Sequence, residues 1–118
     1  MMGIKHKEEA ASGGGLHNTL AAGAVVNGSM TTDTDFRLDG QVEGDVKCNG
    51  KIVIGQKGRV KGDITAINAE ILGEVEGSLQ VSEKLILKST SVIKGDITTG
   101  ILEIEPNARF NGLCKMKD

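Results

Sequence analysis

Aromatic residues are almost absent from this chain: Phe36 and Phe110 are the only two, with no tryptophan or tyrosine. Without a set of aromatic faces there is no platform on which nucleic-acid bases could stack. Positive charge is not in excess either. The formal net charge is −2, whereas phosphate binding needs a surplus of lysine and arginine. Histidine occurs only at His6 and His17, both near the amino terminus, so the body of the chain offers no histidine set for zinc. The two cysteines, Cys48 and Cys114, lie 66 residues apart and form neither a metal-type nor a redox-type pair. They read as reduced thiols. No apolar run approaches the ~18 residues of a membrane span, and Met1 to Glu9 lack the apolar stretch of a secretory signal. Serine and threonine are scattered without a base beside them, and Gly55-Gln56-Lys57-Gly58 is a bend rather than a phosphate loop. The expectation is a protein that is not an enzyme, with no catalytic, cofactor-binding or metal-binding residues, no cofactor, and neither nucleotide nor nucleic acid as a partner.

What the chain does have is repetition. Seventeen glycines stand against one proline, Pro106, a balance that points to many tight bends. The frame aliphatic-x-Gly-x-aliphatic reads Val26-Asn27-Gly28-Ser29-Met30, Val42-Glu43-Gly44-Asp45-Val46 and Val60-Lys61-Gly62-Asp63-Ile64. It continues as Val75-Glu76-Gly77-Ser78-Leu79, Ile93-Lys94-Gly95-Asp96-Ile97 and, imperfectly, Phe110-Asn111-Gly112-Leu113-Cys114. The starts lie 16, 18, 15, 18 and 17 residues apart, and Gly44 to Gly77 and Gly62 to Gly95 each repeat at 33. A fixed short period is the mark of a stacked, quasi-one-dimensional fold.

Between the frames, Ile52 and Ile54, Ala69 and Ile71, Leu85 and Leu87, Leu102 and Ile104 recur with a spacing of two at matching places, a strand signal. A unit of about 17 residues then divides into three strands of four to six residues. That is one coil of a three-sided parallel β-helix, and six coils stacked at about 4.8 Å make a rod of roughly 29 Å. If Val60, Gly62 and Ile64 all point inward, the glycine leaves room in a narrow interior; the competing reading is a turn that requires positive φ. The second frame position runs Asn27, Glu43, Lys61, Glu76, Lys94, Asn111, so stacking sets opposite charges over one another and fixes register. The Gly-Asp pairs at Asp45, Asp63 and Asp96 fall 18 and 33 apart, the wrong spacing for a nonapeptide calcium repeat.

Residues 1–24 read as a flexible tail, 25–114 as the β-helical domain, and 115–118 as a second short tail. Neither tail looks able to seal the strand edges at the two ends of the stack. Phe110 with Ile104, Leu113 and Cys114 would form an apolar end face that docks on another copy, and Phe36, Val26 and Met30 of the first coil would form its counterpart. As plain core residues the two phenylalanines would instead plug a tapering interior. A patch of outward Val53 and Ile86 would suit a monomeric adaptor.

The Val-x-Gly-Asp-Ile frames, the coil length, the long N-terminal tail and the phenylalanine near the C-terminal end resemble the bactofilin family over Val25 to Cys114. The resemblance implies an all-β, single-stranded, right-handed three-sided β-helix of about six coils with disordered termini. It implies end-to-end polymerisation without nucleotide, and cytoplasmic filaments at the inner face of the membrane of a bacterium. Their work would be in cell shape and as a scaffold for cell-wall-modifying enzymes. The implied partners are the protein itself, the cytoplasmic membrane, and cell-wall hydrolases or their membrane anchors. Members often attach through the N-terminal tail, which here points to Met1, Met2 and Ile4 with Lys5 and Lys7. The rival from another class is a left-handed β-helix enzyme, a hexapeptide-repeat acyltransferase or γ-type carbonic anhydrase. A near-uniform six-residue period and histidine between coils would mark it, and this sequence has neither.

Overall fold

The computed structural model describes residues 18–117, and every element among them is a β-strand. The chain winds through β1 (Asn18–Leu20), β2 (Val25–Asn27), β3 (Met30–Thr32) and β4 (Phe36–Leu38). It continues with β5 (Gln41–Glu43), β6 (Val46–Cys48), β7 (Lys51–Ile54), β8 (Arg59–Lys61), β9 (Ile64–Ile71) and β10 (Glu74–Glu76). The last five are β11 (Leu79–Leu87), β12 (Val92–Lys94), β13 (Ile97–Ile104), β14 (Arg109–Asn111) and β15 (Cys114–Met116). All pairings are parallel, and each joins a strand to its equivalent one coil away. The first face is the ladder β2-β5-β8-β10-β12-β14. The long strands β9, β11 and β13 each turn the corner between the second and third faces and so merge these into one sheet. The result is a three-sided β-solenoid of six coils, measuring 35 × 25 × 20 Å.

Register follows the sequence pattern. Ile52, Ala69, Leu85 and Leu102 lie one above another, as do Ile54, Ile71, Leu87 and Ile104. The interior column they form with Val42, Val60, Val75 and Ile93 is buried through Leu85, Leu87 and Ile93 and open at Leu102 and Ile104. The alternating column also stacks as read, Asn27 on Glu43, then Lys61, Glu76, Lys94 and Asn111. Its Glu76–Lys94 rung closes to 3.9 Å, and on the neighbouring column Arg59 reaches Glu74 at 3.5 Å. β11 carries a bulge between Val81 and Lys84, where Ser82 and Glu83 stand opposite single residues of β9 and β13.

Several expectations need correction. The frame glycines are not spacers inside the column. Gly44, Gly62, Gly77 and Gly95 hold φ between 137° and 147° at the corner between the first and second faces. A Cβ on any of them would strike the carbonyl oxygen of the frame glycine one coil below, so the turn requirement decides the residue. The Asp after the glycine also has a structural use: Asp45 and Asp63 each accept, through Oδ1, the N–H of the same position one coil up. The first strand begins at Asn18, inside the stretch read as tail, because it pairs with β4. At the other end β15 runs to Met116, because Lys115 and Met116 continue the pairing with Thr98 and Thr99.

Candidate assembly surface

In the lower coils each inward side chain is covered by the next coil. Leu85, Leu87, Ile93 and Thr99 are 0% exposed and Ile97 1%. Directly above them in register stand Leu102, Ile104, Phe110, Met116 and Cys114. These five occupy the same inward places, yet no described residue lies over them: Leu102 and Phe110 are half-buried, Cys114 is exposed, and Ile104 and Met116 are 51% and 48% exposed. Among the described residues none after Thr99 is buried. The backbone ends the same way, since β14 closes the order of one sheet and β15 that of the other. The C-terminal end is therefore an apolar rung rimmed by strand edges.

Leu113 extends this surface. Its place at the corner is held below by Ser29, Asp45, Asp63, Ser78 and Asp96, all polar, yet Leu113 is 74% exposed. An exposed leucine where every lower coil uses a hydrophilic residue adds apolar area to the end face.

The structure brings together Ile104, Phe110, Leu113 and Cys114 as the sequence led one to expect. It adds Leu102 and Met116, which the alternation through Ile104 and Cys114 already marked; Met116 was hidden by treating 115–118 as a tail. The proposed counterpart fares differently. Phe36 and Val26 are 3% and 2% exposed, with Phe36 in register between Asn18 and Ile52. Both are core residues, and Phe36 plugs the column, so neither offers a surface to an incoming copy. Met30 packs half-buried against the same core. Val53 and Ile86 are half-buried as well, with Glu70 between them in the same column. Met1, Met2, Ile4, Lys5 and Lys7 lie outside the described residues.

The faces of the rod carry shallow polar grooves. One, of about 360 Å³, is lined by Asp45, Lys47, Asp63, Thr65, Ser78 and Gln80. Among the described residues no three histidine, cysteine or acidic side chains converge as a metal set.

Fold and end face together define a β-solenoid whose last described coil presents apolar side chains and strand edges. The model of the bactofilin family, described as polymer-forming cytoskeletal proteins, matches residues 18–115. This chain belongs to the bactofilin family. Among solved structures it is similar to the cytoskeletal bactofilin BacA determined by solid-state NMR, with 31% identity and a TM-score of 0.80 over 88% of this chain and 99% of that one. It is also similar to a phenylalanine-to-arginine mutant of the bactofilin from Thermus thermophilus, with 33% identity and a TM-score of 0.72 over 77% of this chain and 100% of that one. No curated protein matches the chain. The matched region begins at Asn18, where β1 begins.

Proposed function

We propose that this protein polymerises end to end, without nucleotide, through two junctions: the rung formed by Leu102, Ile104, Phe110, Cys114 and Met116 at one end, and the open strand edges of β1, β2 and β3 at the other. The observation that carries the reading is that this rung repeats the buried core of the coil below with no described residue above it. Covering these side chains and Leu113 on two joined ends would contribute on the order of 10 kcal/mol, which is the size of the association cost it must offset. Main-chain bonds across the joined strand edges supply the surplus. The product is a filament that serves as a scaffold beneath the cytoplasmic membrane of a bacterium, in cell shape and in placing cell-wall-modifying enzymes.

Attachment would use the segment around Met1, Met2, Ile4, Lys5 and Lys7. Three apolar side chains anchor one copy feebly, but a filament multiplies them. The reading is tested by negative-stain microscopy and sedimentation of the purified protein with and without nucleotide, where filaments are expected in both. Co-pelleting with anionic vesicles should be lost on deletion of residues 1–17 while filaments persist. Protein that remains monomeric at every concentration and salt overturns the proposal.

A further inference from the structure

Four charges climb the third face, one per coil: Lys51, Glu70, Lys88 and Glu105. Lys51 Nζ lies 3.3 Å from Glu70, and Lys88 Nζ lies 3.5 Å from Glu70 and 3.2 Å from Glu105. The hydrogen bond that Lys88 donates to Glu105, then the charges of Glu105 and Glu70, hold the Lys88 ammonium above its ordinary pKa. Glu105 ends the series with both oxygens engaged, Oε2 by Lys88 Nζ and Oε1 by the Ser89 N–H at 3.1 Å. It does this at the corner where the chain leaves β13, passes Pro106 and turns through Asn107 at φ 77° into β14. Each lower coil contains buried side chains that hold its shape, whereas β14 and β15 contain none. A coil whose apolar packing is limited to the half-buried Ala108 and Phe110 is held mainly by its ladder bonds and its corners, and it opens at low free-energy cost.

We propose that Glu105 is a positioning residue for assembly: its double hold on Lys88 and the Ser89 N–H fixes the last coil, and with it Phe110, Cys114 and Met116, in the geometry a second copy must meet. The inference rests on the reading that this end joins copies. It separates two tasks within the ion series. Lys51, at the far end, braces coils already locked by buried Ile52 and Ile54. Glu105 braces the one coil that has no such lock.

The test uses the full chain and the variants Glu105→Ala, Glu105→Gln and Lys51→Gln. Glu105→Ala removes both bonds, and Glu105→Gln removes the charge while leaving an oxygen for the Ser89 N–H. Amide hydrogen exchange is followed below the concentration at which pelleting begins, and that concentration is measured for each variant. In Glu105→Ala, exchange across residues 108–117 should rise about three- to tenfold, with residues 42–87 unchanged, and the pelleting threshold should rise by a similar factor. Glu105→Gln should fall between it and the wild type, and Lys51→Gln should match the wild type in both. Unchanged exchange and threshold in Glu105→Ala, or faster exchange in all coils alike, would overturn the assignment. A wild type that never pellets would instead overturn the end-joining reading, and the exchange of residues 108–117 would still decide whether Glu105 holds the last coil.

Discussion

Phe110 lies in register directly above Ile93, and what separates their surroundings is that Ile93 has a further coil above it. Ile93 is wholly buried, while the larger Phe110 is not. The same relation joins Leu85 to Leu102 and Leu87 to Ile104, so the top of the rod is a core layer waiting for its cover.

Truncation should therefore have opposite signatures in adjacent coils. Leu85→Ala should lower unfolding free energy by about 2–5 kcal/mol, the cost of a cavity in a closed core. Leu102→Ala, one coil higher, should cost less than half of that in unassembled protein and should weaken pelleting instead. Urea denaturation below the pelleting threshold distinguishes the two, and equal losses would mean that the end is already covered.

The frame glycines predict a graded series. Gly62→Ala forces a side chain into left-handed backbone and into the Gly44 carbonyl, which should destabilise by about 3 kcal/mol or more. Gly28 has the same sign of φ but open space around a built Cβ, so Gly28→Ala should cost only about 1 kcal/mol. Thermal melts of the two variants read the difference. Equal shifts would show that strain alone, and not the contact between coils, selects glycine.

How much of this was legible beforehand depends on what kind of signal each residue leaves. Strand register was readable because alternation has a period of two and the charges of Glu43, Lys61, Glu76 and Lys94 index the coils. The glycine role was not, because parity suggests Gly62 faces inward with Val60 and Ile64, and only the backbone shows a corner there. The apolar places of the last coil were readable because Phe110 and Cys114 fall on the frame positions of Ile93 and Ile97. Phe36 was misplaced as a surface residue because composition cannot say that Asn18–Leu20 adds a strand beneath it. The Glu105 hold joins residues 17 apart through one turn, and nothing in the charge pattern distinguishes it from the other surface pairs.

Charge reversal in the column should be felt through salt. Lys94 faces Glu76 at 3.9 Å and Glu74 at 4.0 Å, so Lys94→Glu gathers three carboxylates on one patch. The expected loss is about 1 kcal/mol at low ionic strength, shrinking by more than half near 1 M salt as screening shortens to about 3 Å. Urea midpoints at the two salt levels measure it. A loss that salt does not touch would point to packing of the lysine stem instead.

The two thiols report on the two environments. Burial raises the pKa of Cys48, with Asp35 adding to the shift against an opposing backbone hydrogen bond at Gly50, so little thiolate forms near neutral pH. Cys114 is exposed on the end face. In dilute native protein one thiol should react with a disulfide reagent and a second only on denaturation. In pelleted filaments the reactive thiol should be protected, and undiminished labelling of Cys114 there would place the contact elsewhere.

The most direct measurement is sedimentation of Phe110→Arg beside the wild type, with circular dichroism of both. A guanidinium in the centre of the apolar rung should leave the β signal intact, since Phe110 packs only half-buried on top of a core that the lower coils close without it, and should reduce the protein to short soluble species. Long filaments from Phe110→Arg, at wild-type concentrations, would contradict the claim that the bare C-terminal rung is where copies meet.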